Sequence, residues 1–235
     1  MVKIRLVSVF LMVTLIFISL TVGFSTSNLN YSSDPVNTHG YMVIGSSDKG
    51  DVIKSGPYGN CESPVRVAYI VGVHPLENRS HTAIINAINE NEHSLRYCYY
   101  IYQVNVKQDA DNYSKGRYNG QVLARDFVVP DVSAEHFNLA VDVHSNVGNW
   151  AQKTFLFSPV KNTSSESLGL NLTNELTWLA YYIPPSSTSP EYVTIPIINA
   201  GVPAVIYESY SNDSNETVYD HALQFVDAVD KLKIN

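Results

Sequence analysis

Basic residues are scarce in this chain. Lysine and arginine number 15 against 22 Asp and Glu, for a formal net charge of −7. No basic block could neutralise a run of phosphates, which argues against nucleic acid as the main partner. Charge of either sign is thin: 16% of the 235 residues are charged and 45% are apolar. A chain of that length and composition buries a substantial core rather than staying disordered. Cysteine is nearly absent, since Cys61 and Cys98 are the whole supply, leaving room for one disulfide at most. No internal repeat is present. What fills the places usually held by Lys and Glu is tyrosine, 16 residues of it, with many Ser, Thr and Asn.

The start of the chain carries a second signal. Lys3 and Arg5 precede an uncharged run, Leu6 to Phe24, the order of a secretory leader. The run is almost long enough to span a bilayer, which takes about 20 residues. Ser25 to Ser27 is the nearest cleavage candidate, so a retained anchor through residues 6–24 fits as well as a cleaved signal peptide over 1–24. Either way the basic end stays inside and the remainder is exported. Seven N-x-S/T sequons, at Asn30, Asn78, Asn112, Asn162, Asn171, Asn212 and Asn215, agree with an extracytoplasmic glycoprotein. An oxidising compartment favours a Cys61–Cys98 disulfide over two free thiols.

Residues 25–40 are polar and lack apolar periodicity, as in a linker. A folded domain is expected over 41–235. Tyr41 to Ile44 reads as a short edge strand, and Gly45 to Gly59 as a turn-rich approach with four glycines and a proline. Val65 to Val73 is a near-continuous apolar run, as in a strand covered on both faces. Ser80 to Asn91 carries Ala83, Ile84, Ala87 and Ile88 at helical spacing, with Ser80 as N-cap. Tyr97 to Val106 is a second strand. Strand, helix and strand within roughly forty residues form a βαβ unit, hence an α/β fold. Lys107 to Gly120 reads as a loop, Phe137 to Val143 and Thr154 to Phe157 as strands, and Leu168 to Tyr182 as a helix. Ile183 to Pro196, with four prolines, is expected to be extended. Val202 to Tyr207 is a buried strand and Thr217 to Leu232 an amphipathic helix.

Three of these strands end alike. Val65–Val73 runs into His74, with Glu77 three residues on. Phe137–Val143 runs into His144, and Val202–Tyr207 into Glu208. Ligands of open parallel sheets bind at the carboxyl ends of the strands, so parallel strands would gather all four residues along one edge. Two imidazoles and one carboxylate leave a position open on zinc for water, the catalytic pattern. Glu208 would then be a base rather than a ligand.

The pieces His74-Pro-Leu-Glu77, Asp142-Val-His144-Ser145 and Gly201-Val-Pro203-Ala-Val-Ile-Tyr-Glu208 together resemble the zinc carboxypeptidase-like superfamily, with the carboxypeptidase A fold. The compact length is nearest the succinylglutamate desuccinylase and aspartoacylase branch or the small cell-wall peptidases. Pro75 stands where that branch commonly has glycine. The resemblance implies a single α/β domain with a mixed, mostly parallel sheet flanked by helices. It implies one Zn2+ on His74, Glu77 and His144, with Glu208 as general base. It also implies an arginine that stabilises the oxyanion and an Asn-Arg pair on the substrate carboxylate. Arg125 is the first choice for the oxyanion, and Arg117 with Asn119 the second. Arg79, in Asn78-Arg79, abuts the ligand motif and lies outside the family's position.

Asp142 could orient a ligand histidine. Ser145 and Asn146 lie just beyond His144, and Tyr207 and Tyr210 flank Glu208, so all four are candidates for substrate contact. The expected activity is zinc-dependent hydrolysis of an amide bond in a peptide, such as cell-wall peptide, or in an acyl-amino acid. The alternative is a surface binding or adhesion module that keeps the fold without turnover, which the many Tyr, Ser and Asn residues would suit.

Overall fold

The computed structural model describes residues 39–185 and 189–234. The expected leader, the sequon at Asn30 and nearly all of the expected linker lie outside them. Eight strands make one sheet in the order β1-β2-β4-β3-β5-β8-β6-β7. In chain order these are β1 Tyr41–Ser47, β2 Gly50–Gly59, β3 Arg66–Val71, β4 Cys98–Val106, β5 Leu139–Asn146, β6 Phe155–Phe157, β7 Ala180–Tyr181 and β8 Ala204–Tyr210. The central four, β4, β3, β5 and β8, run parallel. Antiparallel pairings attach β2 and β6 on either side, giving the mixed, mostly parallel α/β sheet that the sequence predicts.

Both faces of the centre are buried, which explains the continuous apolar runs. On one face Val67, Tyr69, Val141 and Val205 pack against three helices, α1 (Asn78–Asn91), α4 (Ser164–Glu175) and α7 (Asn215–Lys231). On the other, Ala68, Ile70 and Ala140 meet Leu123, Val128, Val132 and Ile197. Among the described residues no helix is long and apolar enough to cross a membrane.

Several elements differ from expectation. Residues 45–59 are largely strand, because Val52, Lys54 and Tyr58 alternate inward while their neighbours face outward. Glycines there serve close packing: a Cβ at Gly45 would stand 2.1 Å from the Phe127 ring. The expected loop at 107–120 contains most of helix α2 (Tyr113–Leu123), capped by Asn112, whose Oδ1 accepts from Lys115 N at 2.9 Å. It continues through a wide π-turn, Ala124–Val128, into α3 (Val129–Ala134). Helix α1 begins at Asn78, so Ser80 lies inside its first turn and donates to Glu77 O. Helix α4 ends at Glu175, and Ala180–Tyr181 joins the sheet instead. The proline-rich stretch holds two short helices, α5 (Ser189–Tyr192) and α6 (Thr194–Asn199). Pro190 and Pro196 fall in their first turns, where a missing N–H costs no bond.

Candidate metal centre

Strand β5 pairs with β8 so that His144 stands opposite Glu208. Strand β3 is the other neighbour of β5, and His74 follows it. Pro75–Glu77 then forms a single 3-10 turn, closed by Glu77 N donating to His74 O at 3.0 Å. The turn folds Glu77 back onto His74. Proline is suited to its first position, which accounts for Pro75 in place of glycine.

His74 Nδ1 lies 3.0 Å from Glu77 Oε1, and His144 Nδ1 lies 3.0 Å from Glu77 Oε2. The three residues are buried, and each offers a ligand atom within 4.8 Å of the others. Ser145 N also donates to Glu77 Oε2 at 3.0 Å, and Arg117 Nη1 donates to Oε1 at 2.6 Å. Nitrogen, nitrogen and carboxylate oxygen, with both Nδ1 atoms facing Glu77, fit a divalent metal ion with a position left for water.

Each imidazole is also held from behind. Gln121, buried on α2, places its amide nitrogen 3.2 Å from His74 Nε2. Among the described residues Asp142 Oδ1 has no hydrogen-bond partner, and it lies 3.0 Å from His144 Nε2 as an ion-pair partner. Thr194 donates to Asp142 Oδ2 at 3.0 Å. Ser189 Oγ is 3.5 Å from His144 Nε2.

The charges are distributed unevenly. Burial, with the His144 charge adding, pushes His74 down to about 4. Burial acts the same way on His144, but Asp142 and Glu77 outweigh it and hold the ring well above the usual histidine range. Burial would raise Glu77, yet the two histidines keep its carboxyl well below the usual carboxylate range. Burial lifts Glu208 to about 7, against the His144 charge and a hydrogen bond from Asn146. The centre therefore pairs an ionised carboxylate with one that titrates near neutrality, the property wanted in a base.

A cavity of about 730 Å³ opens over these groups. His74, Glu77 and Glu208 form its polar floor with Arg117, while Leu76, Tyr113, Val147 and Trp150 form apolar walls. Ser145 and Asn146 line it as expected. Asn146 Nδ2 is 3.4 Å from Glu208 Oε2.

The other candidates lie elsewhere. Arg125 is exposed in the π-turn and pairs with Asp126 at 2.7 Å. It does not line the cavity, whereas Arg117 does. Eight residues separate the two, about two turns of helix, and a loop expected over 107–120 hides that coil. Asn119 is buried beneath the helix, donating to Gln108 O. Arg79 clamps the β8–α7 loop through Ser211 O, Asp213 O and Asn215 Oδ1. Tyr207 points to the opposite face of β8 and stacks on Phe225 at 4.5 Å. Tyr210 lies outside the cavity with Lys153 over its ring.

The cysteines are free thiols rather than the expected bridge. Cys61 Sγ turns to Tyr58 O and Gly59 O, and burial with the neighbouring Cys98 thiol pushes it up to about 12. Sequence reasoning missed Gln121, Tyr113, Trp150, Ser189 and Thr194. Only Asp142 among the supporting residues carried a signal, its place two before His144.

No family model matches the chain, and no curated protein does. Solved structures do match. A metallo-carboxypeptidase from Pseudomonas aeruginosa in complex with (2-guanidinoethylmercapto)succinic acid aligns with TM-score 0.56 and 14% identity, over 82% of this chain and 64% of that one. A protein provisionally described as a metallopeptidase, from Shewanella baltica, aligns with TM-score 0.53 and 14% identity over 82% and 84%. An aspartoacylase family protein from Mesorhizobium loti aligns with TM-score 0.52 and 10% identity over 80% and 65%. The property shared with these structures is the fold.

Proposed function

We propose that the protein is an exported, zinc-dependent hydrolase that cleaves an amide bond in a peptide or acyl-amino acid. The observation that carries the reading is the convergence of His74, Glu77 and His144, with ligand atoms within 4.8 Å, beside Glu208 at the ends of parallel strands. The fold shared with a metallo-carboxypeptidase and an aspartoacylase family protein supports it.

His74, Glu77 and His144 would hold the ion, which would supply Lewis-acid polarisation and lower the pKa of water to about 7. Glu208, on the cavity floor, takes a proton from water as the water oxygen bonds to the carbonyl carbon, and passes it to the departing nitrogen as the C–N bond breaks. The products are an acid and an amine. Arg117 reaches the same space and stabilises negative charge on the former carbonyl oxygen. Ser145 and Asn146 contact the substrate.

The domain reading belongs to the same proposal: residues 1–24 a signal or anchor, 25–40 a linker, 41–235 the catalytic domain. The basic-then-apolar start and the sequons support export, and cell-wall peptide is a fitting substrate for a surface enzyme. The test is zinc analysis of the purified protein with hydrolysis of a panel of peptides and acyl-amino acids. Wild type should bind one zinc and release amine, and Glu208→Gln should bind zinc without turnover. Failure of wild type to bind zinc, or full activity in the variant, would contradict the reading.

A further inference from the structure

One contact in the centre differs in kind from the rest. His144 Nε2 faces a carboxylate, Asp142, which can only accept. His74 Nε2 faces the Gln121 amide at 3.2 Å, which can donate from one end and accept at the other after a half-turn. The helix is brought close enough for this by Gly120, where a Cβ would stand 2.0 Å from Val73 O, one residue before His74. Gln121 is buried there, and its reach to His74 is fixed by that close approach.

The two ring nitrogens of His74 call for a partner that can both donate and accept, which an amide can do. In the arrangement seen, His74 Nδ1 faces a Glu77 oxygen at 3.0 Å, so it carries the proton and donates. Nε2 is then a bare acceptor, and the Gln121 amide N–H donates to it. A metal on Nδ1 requires a bare nitrogen there, so the proton resides on Nε2. Gln121 then accepts that proton through Oε1.

We propose that Gln121 is a positioning residue that follows the tautomer of His74, holding the ring in one orientation whether or not the centre is loaded. The inference rests on the zinc reading of the site. Its consequence is a preformed ligand: the ring need not rotate when metal arrives, and only the amide turns. A glutamate at 121 would serve the loaded form alone, since a carboxylate has no proton to donate. A methionine of similar length would fill the space and serve neither.

The experiment is imidazole NMR of the isotope-labelled full chain, metal-free and with zinc, alongside zinc affinity from competition with a chromophoric chelator. Metal-free wild type should carry the His74 proton on Nδ1, and zinc should move it to Nε2. Gln121→Glu should show the Nε2 proton in both states. Gln121→Met should bind zinc about 10- to 100-fold more weakly, with the unfolding midpoint of its metal-free form close to wild type. Metal-free wild type with the proton on Nε2, or Gln121→Met with wild-type zinc affinity, would overturn the proposal. A wild type that binds no zinc would instead overturn the reading of the centre, and its metal-free tautomer would still report on Gln121.

Discussion

Arg117 and Arg125 are eight positions apart, and only Arg117 reaches the cavity floor. Replacing Arg117 by methionine should lower kcat about 100- to 1,000-fold, the usual cost of a lost oxyanion donor. Arg125→Ala should turn over like wild type, because its guanidinium pairs with Asp126 on the surface. Initial rates on the best peptide substrate would separate the two. Tyr207→Phe is a further contrast. The hydroxyl is buried without a hydrogen-bond partner among the described residues, so its removal should leave activity unchanged and stability equal or slightly higher, as read by urea denaturation.

Glu208 gives the pH dependence. Burial raises its folded pKa to about 7 from an ordinary value of 4.5. The stability its protonated form contributes is fully present below the unfolded value and disappears as pH rises through about 7. Metal-free wild type should therefore fall behind metal-free Glu208→Gln between those values, by on the order of 2 kcal/mol after allowance for partial exposure. Denaturant unfolding at a series of pH values measures the gap, and a gap constant with pH would contradict it.

At the scale of elements, the strand ends were legible and the helix beside them was not. His74, His144 and Glu208 each follow a run of buried apolar residues, and the pattern alone places them on one edge. Helix α2 escapes this kind of reading because its apolar face is interrupted by Gly116 and Gly120. Those glycines are there for contact: Cβ atoms would stand 2.9 Å from Asp109 O and 2.0 Å from Val73 O. Tertiary packing overrides propensity here, so the sequence pattern shows neither the place of Gln121 nor the precedence of Arg117 over Arg125. Gly120→Ala should accordingly destabilise the protein by about 1–3 kcal/mol, as overpacking does, although alanine favours helix. Chemical denaturation checks this, and a stabilised variant would contradict the packing argument. The alternation of Tyr207 and Glu208 across β8 is legible in principle, since neighbours in a strand face opposite sides. The expectation that Tyr207 lines the pocket overlooked it.

For the whole molecule, the parallel centre of one mixed sheet supplies the floor of the centre from β3, β5 and β8, and the helices on its faces lock the ligands from behind. Zinc bound to such a preformed centre should stabilise the folded chain by mass action, about 2.7 kcal/mol at a hundredfold excess over Kd. The thermal midpoint should rise with zinc concentration, and should not do so in His144→Ala. The most direct measurement of the central claim is the zinc content per chain after reconstitution and dialysis, in wild type and in His144→Ala. One zinc per wild-type chain and none in the variant is the predicted result. An empty wild type, or a variant that retains its zinc, would contradict the account.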